Sequence, residues 1–238
     1  MLPPATEVKP LASKVALVTG ASGGLGRAVA VKLAAAGAHV VLLARTVGRL
    51  EETDDAVRAA GGRATLCPLD LTRPGDLERA LAAFGQRFGR LDILVSAAAT
   101  LGALGPAHQI TDDAWRRSFD TNLNAALRLI RMADPMLRCA LAGRAVFATG
   151  YPAARAYWGA HAASKAGLEA LVLAWAAETA RTALRVNLVD PGPMRTRLRA
   201  AAYPGENPEA LPSPDRAADL ILGLTLPNCA THGEIHRP

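Results

Sequence analysis

Four glycines crowd a short segment near the N-terminus of the chain. The segment TGASGGLG places Gly20, Gly23, Gly24 and Gly26 directly after the apolar run VALVT and before an Ala-rich stretch. Glycine allows positive φ angles and lets backbone N–H groups approach a pyrophosphate at the positive end of a helix. The GxGxxG pattern is not matched, because Val29 stands where the third glycine is expected. The position between a strand and a helix nevertheless favours dinucleotide binding over a merely structural turn.

An arginine stands where the second predicted strand ends. In an NAD site a carboxylate is expected there, roughly twenty residues after the glycines, to hold the ribose 2′-hydroxyl. The sequence has Arg45 at this point, and the first acidic residue after it is Glu51. Because Arg45 offers a cation for a 2′-phosphate, the sequence favours NADP(H), with NAD(H) as the alternative. The simpler interpretation is an exposed arginine at the start of a helix.

Short apolar runs alternate along the chain with longer Ala-, Leu- and Arg-rich segments. The runs are VALVT, HVVLLA, ATLCPL, DILVSA, RAVFAT and LRVNLV, and a short edge strand is expected around residues 233–236. Such runs suit strands that are buried on both faces, and their alternation with helices is typical of a parallel sheet. The chain is therefore predicted to form one α/β domain over residues 1–238, a Rossmann-type doubly wound sheet. We expect about seven parallel strands in the order 3-2-1-4-5-6-7, with helices on both faces.

Helix boundaries are indicated by glycines and prolines. Helices are predicted over residues 24–36 and 47–60, from Pro74 to Phe88, from Thr111 onward with an interruption at Pro135, and over 156–179. The Pro- and Gly-rich segment 193–214 is predicted to be a loop or lid over the substrate.

Composition excludes several classes of protein. Half of the 238 residues are hydrophobic, so the chain can fill a core and is not intrinsically disordered. The net charge of +6 comes from scattered basic residues, so nucleic-acid binding is not expected. No apolar stretch is long enough for a membrane span, and no secretion signal is present, which favours a cytoplasmic protein. The cysteines and histidines lack ligand-like spacing, so no metal site is predicted.

The segment TGASGGLG matches the TGxxxGxG signature of the short-chain dehydrogenase/reductase family, and the chain is similar to that family from about Ser13 to Arg197. The resemblance implies a Rossmann-type fold and hydride transfer between a nicotinamide cofactor and a carbonyl or alcohol. It implies that the cofactor contacts Thr19, Gly20, Ser22, Gly24, Leu25, Gly26, Arg45, Asp70, Leu71, Ser96, Ala97, Lys165, Pro191, Gly192 and Thr196.

The resemblance also assigns roles to individual residues. Asp70 in PLDLT is similar to the aspartate that contacts the adenine ring, and Thr196 in DPGPMRT to the threonine that meets the nicotinamide carboxamide. Asn122 in DTNL is similar to the asparagine that supports a proton-relay water. Lys165 in HAASKAG is similar to the lysine that holds the nicotinamide ribose and lowers the pKa of a catalytic phenol.

Two catalytic positions depart from the family pattern. The family's YxxxK motif has a tyrosine four residues before the lysine, where this chain has His161. The family's serine at the end of the fifth strand is not matched, because FATGYPAARAYWG offers Thr149 and Gly150 there. A third departure is LVSAAA in place of LVNNAG, which leaves Ala97 without a side-chain amide.

His161 is the candidate replacement for the tyrosine. It lies four residues before Lys165 on a predicted helix, so the two side chains share one face. The ammonium disfavours the imidazolium form, so reductase activity is expected to fall as the pH rises through the pKa of His161. Thr149 could supply the hydroxyl of the missing serine. Tyr157, one helical turn before His161, and Tyr151 are alternative phenols.

Two functions remain open from the sequence. The first is an NADP(H)-dependent oxidoreductase that acts on a small carbonyl or alcohol. The second is a catalytically degenerate NADP(H)-binding protein that serves as a sensor or assembly partner, which His161, Gly150 and the alanines from Ala97 favour. In the family, neighbouring helices form subunit contacts, and the apolar stretch LVLAWAA from Leu171 is consistent with a homodimer or homotetramer.

Overall fold

Seven parallel strands form one sheet in the computed structural model, which describes residues 9–150 and 155–238. The strand order is β3-β2-β1-β4-β5-β6-β7, as predicted. The strands are β1 (Val15–Thr19), β2 (His39–Ala44), β3 (Arg63–Pro68), β4 (Ile93–Ser96), β5 (Arg144–Ala148), β6 (Arg185–Val189) and β7 (Ile235–His236). Because β2 and β4 lie on opposite sides of β1, the direction in which strands are added to the sheet reverses there, and a crevice opens at the carboxyl ends of these strands.

The central strands are apolar throughout because both faces of the sheet are covered. In β1, Val15 and Leu17 pack into one buried cluster, whereas Ala16 and Val18 pack into the other. This follows from the period of two along a strand. Both clusters include residues from the helices, so the two hydrophobic layers lie between the sheet and its helices.

Eight α-helices flank the sheet in the described residues. They are α1 (Gly24–Ala35), α2 (Val47–Ala59), α3 (Asp76–Phe88), α4 (Asp112–Phe119), α5 (Ala125–Cys139), α6 (Gly159–Thr179), α7 (Arg197–Ala202) and α8 (Asp215–Thr225). Helices α3, α5 and α6 pack into one layer, and α1, α2 and α8 pack into the other. No helix among the residues that the structure describes is long and apolar enough to cross a membrane.

The predicted interruption at Pro135 is wrong, because Pro135 lies inside α5. Its ring is on the exposed face, where the carbonyl that loses its N–H partner can bond to water, while Leu129 and Leu137 hold the other face in the core. The irregularity occurs earlier, as a π-helical turn at Asp120–Asn124 between α4 and α5. Single π turns of this kind often occur at functional positions.

The segment 193–214 is more ordered than a simple loop. It contains α7 and a short 3-10 turn at Pro208–Ala210. The Thr196 hydroxyl caps α7 by accepting a hydrogen bond from the N–H of Arg199. This segment follows β6 at the carboxyl edge of the sheet and covers part of the crevice there.

Candidate active site

A cleft of about 1090 Å³ lies at the carboxyl edge of the sheet. Most of the sequence-predicted site residues line it, namely Gly20, Ser22, Gly24, Leu25, Arg45, Asp70, Leu71, Ala97, Thr149, His161, Lys165, Pro191, Gly192 and Thr196. Four do not, namely Thr19, Gly26, Ser96 and Asn122. The structure therefore brings most of the predicted cofactor and proton-transfer residues to one cleft, and the four others do not line it.

The glycine-rich turn packs directly against the alanine run that follows β4. Gly20 has φ +68°, and a Cβ there would lie 2.8 Å from the backbone nitrogen of Ala98. The buried Thr19 hydroxyl accepts hydrogen bonds from the N–H groups of Ala97 and Ala98, at 3.2 and 3.3 Å. The junction thus uses backbone atoms of the alanines, so the missing side-chain amide does not open it.

Gly26 fixes how closely α1 approaches this turn. A Cβ on Gly26 would lie on the carbonyl oxygen of Gly20, so no larger residue fits. The close approach brings the N-terminus of α1 to the cleft, where its free N–H groups and partial positive charge suit an anion.

Arginines and one carboxylate line the far end of the cleft. Arg45 is exposed at the end of β2, as predicted, and Arg49, which the sequence analysis missed, lines the same end. The Asp70 carboxylate accepts hydrogen bonds from the backbone and hydroxyl of Thr72. Burial alone would raise the pKa of Asp70, but these bonds hold it below its usual range. This end therefore offers an ionised acceptor beside two cations.

Lys165 is buried at the opposite end of the cleft. Its Nζ donates a hydrogen bond to the carbonyl oxygen of Ala148, 2.9 Å away at the end of β5. Burial lowers the pKa of Lys165 to about 8, although the negative charge of Glu169 opposes this shift. The ammonium is therefore present at neutral pH but is poised to titrate just above it.

The Thr149 hydroxyl is directed to a carboxylate. It donates a hydrogen bond to Oε1 of Glu169 at 2.7 Å, so only its lone pairs remain for another partner. Glu169 follows Lys165 by four residues on α6. That spacing is the signal by which the sequence analysis could have identified Glu169 as a neighbour of the lysine.

His161 has a defined tautomer. Its Nδ1 lies 2.9 Å from the carbonyl oxygen of Thr100, and since that oxygen can only accept, Nδ1 carries the proton. Nε2 of the neutral ring is then an acceptor. Burial lowers the pKa of His161, the Thr100 carbonyl opposes this, and the charge of Lys165 lowers it further. At neutral pH the imidazole is uncharged.

Asn122 holds the loop that orients His161. Its Oδ1 accepts from the N–H of Thr100, and its Nδ2 donates to the Thr100 carbonyl and to the Ser164 hydroxyl. The Thr100 carbonyl thus serves both Asn122 and His161. Asn122 comes from the π-helical turn and acts through Thr100 rather than at the cleft surface.

Tyr157, one of the two alternative phenols, is not placed as the sequence suggested. Tyr157 precedes α6, which begins at Gly159, and it has φ +74° and an exposed fraction of 61%. It is therefore not one helical turn before His161. Tyr151 lies outside the described residues.

The segment after β6 is linked to the glycine-rich turn. Nη2 of Arg197 donates a hydrogen bond to the carbonyl oxygen of Ser22 at 3.2 Å. The Thr196 side chain lies beside Gly24, whose Cβ would be 3.1 Å from its methyl group. The start of α7 thus spans the middle of the cleft.

Comparisons with known proteins agree with this geometry. Residues 14–207 match the family model described as short chain dehydrogenase. The uncharacterised oxidoreductase YciK of Escherichia coli K12 is 32% identical over 219 residues, which cover 90% of this chain and 86% of YciK.

Comparison with solved structures points to the same family. A protein of Pseudomonas syringae, assigned to the short chain dehydrogenases, has a TM-score of 0.92 and 34% identity, and the match covers 100% of this chain and 99% of that one. Another, from Escherichia coli CFT073, was solved with NADPH and has a TM-score of 0.91 at 31% identity, covering 97% and 98% of the two chains.

Proposed function

Since the chain belongs to the short-chain dehydrogenase/reductase family, we propose that it is an oxidoreductase that transfers a hydride between NADP(H) and a small alcohol or carbonyl compound. The single observation that supports this best is the meeting of His161, Lys165 and the glycine-rich turn in one cleft. The NADPH complex of a similar structure supports the choice of cofactor.

The residues that line the cleft fit this cofactor. The turn at Gly20 and the N-terminus of α1 would hold the pyrophosphate, and Asp70 would accept from the adenine amino group. Arg45 would pair with the 2′-phosphate, and NAD(H), which lacks this group, is expected to bind less tightly. The Lys165 ammonium would hold the nicotinamide ribose. When bound, the nicotinamide accepts or supplies the hydride.

The state of His161 favours alcohol oxidation over carbonyl reduction. Its neutral Nε2 can accept the hydroxyl proton of an alcohol while the hydrogen on the neighbouring carbon leaves as hydride. Oxidation should therefore be lost as the pH falls through the pKa of His161, which lies below the usual 6.5. Reduction needs the imidazolium and should fall as the pH rises through the same pKa.

One contact supports the second function, that of a cofactor-binding protein. Because Thr149 donates its hydroxyl hydrogen to Glu169, it has no proton left for a substrate carbonyl. This favours an NADP(H)-binding protein without turnover, acting as a sensor or assembly partner. Both functions share the cofactor site and differ in whether His161 moves a proton.

The test combines cofactor binding with turnover. NADPH binding is measured by fluorescence, and panels of alcohols with NADP⁺ and of carbonyls with NADPH are assayed on the parent, His161→Phe and His161→Tyr. We expect His161→Phe to lower alcohol oxidation by about two orders of magnitude or more. The control His108→Phe changes an exposed histidine outside the cleft and should be neutral.

The outcomes separate the two functions. Binding without turnover in the parent, with turnover appearing in His161→Tyr, would identify a degenerate protein. Unchanged oxidation in His161→Phe would exclude His161 as the base. If neither NADPH nor NADP⁺ binds, both functions fail.

Self-association is proposed as well. Trp115 is 43% exposed and stacks on Phe119, which leaves an aromatic surface on α4. A homodimer or homotetramer would cover it. Sedimentation at micromolar concentration tests this, and a monomer would contradict it.

A further inference from the structure

We propose that Arg155 binds a carboxylate on the substrate, and that Trp158 and Tyr203 hold the apolar body to which the carboxylate is attached. The reaction assigned to this substrate rests on the proposed function, whereas the anion site rests on its own contacts. Arg155, Trp158 and Tyr203 line the same cleft as His161.

A row of aromatic rings leads away from His161. The buried Trp158 ring meets the His161 ring edge to face, with centroids 5.4 Å apart. Trp158 also stacks on Tyr203, with centroids 5.9 Å apart and an interplanar angle of 30°. A planar or apolar group that starts at Nε2 of His161 would therefore meet the aromatic surface of Trp158 and Tyr203 before it reaches Arg155.

Two guanidinium groups lie against Tyr203, and they differ in their partners. Arg199 lies 3.7 Å from the ring centroid and forms a two-pronged ion pair with Glu206, with both contacts at 2.6 Å. Arg155 lies 4.9 Å from the same ring and has no carboxylate within 4 Å among the residues the structure describes. The charge of Arg199 is thus neutralised within the fold, whereas that of Arg155 is not.

The geometry of Arg155 favours a carboxylate. A guanidinium offers paired donors in one plane, which match the two oxygens of a carboxylate. Contact with Tyr203 limits the conformations of the side chain, so less rotational freedom is lost on binding. A lysine or a freely solvated arginine would offer no such preorganised fork.

The experiment compares one molecule with and without its charge. The probes are 4-formylbenzoate and its methyl ester, titrated by calorimetry into protein saturated with NADP⁺, where an aldehyde cannot be reduced. We expect the acid to bind at least about tenfold more tightly than the ester. Arg155→Met should remove that difference and leave the ester unchanged, whereas Arg181→Met, at an exposed arginine outside the cleft, should keep it.

Each other outcome counts against the proposal. Equal binding of acid and ester by the parent overturns it, as does a preference that survives in Arg155→Met or equal losses for both probes. If NADP⁺ itself gives no heat, the proposed function fails. The same acid and ester titrations on the protein alone then still decide the anion site.

Discussion

A buried cation lies at each end of β5, and the two cations differ in how many backbone carbonyls accept their hydrogen bonds. Arg144, at the start of the strand, donates to the carbonyl oxygens of Leu226, Gly143, Ala183, Pro227 and Cys229. Lys165 donates to the carbonyl of Ala148 at the end of the strand, its one acceptor among the described residues. Both are 4% exposed, and burial lowers the pKa of both.

The difference lies in the donors that remain. The Arg144 guanidinium has five N–H groups, and the chain meets it with five carbonyls, so it ties the segment after α8 to the sheet. The ammonium of Lys165 has three N–H groups, and those that do not donate to Ala148 can donate to a ligand. A buried cation whose donors are satisfied by the backbone is structural. One with donors left at a cleft is available for binding.

We expect the largest effect from replacing Lys165. Its pKa is about 8 in the folded protein against 10.5 when unfolded, so burying the charge costs about 3 kcal/mol below pH 8. Lys165→Met should lower turnover by about two to four orders of magnitude and weaken NADPH binding. It should also raise the free energy of unfolding at pH 7, by up to about 3 kcal/mol.

Urea unfolding and NADPH titration measure these effects. The stability gain should shrink as the pH rises from 8 to 10.5, because the unfolded parent then loses the proton that the folded parent has already lost. Lys9→Met, at an exposed lysine, is the control. A Lys165→Met variant less stable than the parent at pH 7 would show that the ammonium is structural after all.

Removing Arg144 should have the opposite effect on stability. Arg144→Met would leave the carbonyls of Leu226, Pro227 and Cys229 without their donor, and we expect the free energy of unfolding to fall by about 3 kcal/mol. The affinity for NADPH should stay within about twofold, because Arg144 lies outside the cleft. Urea unfolding beside the exposed-site control Arg216→Met measures the loss, and equal stability of the two variants would refute it.

A smaller effect is expected from Glu169→Gln. The amide oxygen can still accept from Thr149, but the charge that supports the Lys165 ammonium is lost. The pKa of Lys165 should fall further, so NADPH should bind up to about tenfold more weakly near pH 8 and with unchanged affinity near pH 6. Titrations at both pH values test this against Glu178→Gln on the exposed face of α6. An equal loss at both would point to altered packing instead.

The local part of this architecture was predictable from the sequence. Alternating apolar runs predicted a parallel α/β sheet, and its strand order followed from the Rossmann-type fold. The spacing of His161 and Lys165 placed both on one face of α6. The tautomer of His161 was not predictable, because it depends on Thr100, which lies 61 residues earlier. The carbonyls around Arg144 come from segments up to 85 residues away, and no local pattern marks them.

The prediction at Pro135 failed for a related reason. Proline disfavours a helix interior on its own, but the core packing of α5 outweighs one lost backbone bond. The segment that does depart from α-helical geometry, Asp120–Asn124, contains no glycine or proline that would have indicated it. Its irregular geometry coincides with the buried contacts of Asn122.

The π-helical turn also limits how the length of this segment can vary. A widened turn holds more residues than a regular one, and it sets the angular offset between α4 and α5. Deleting one residue from Asp120–Asn124 would either close the turn to a regular helix, which moves Asn122, or rotate every later side chain by about 100° around the axis. Either Asn122 would leave Thr100, or Leu129 would leave the core. Exchanges that conserve the residue count keep both contacts, whereas a single deletion must sacrifice one.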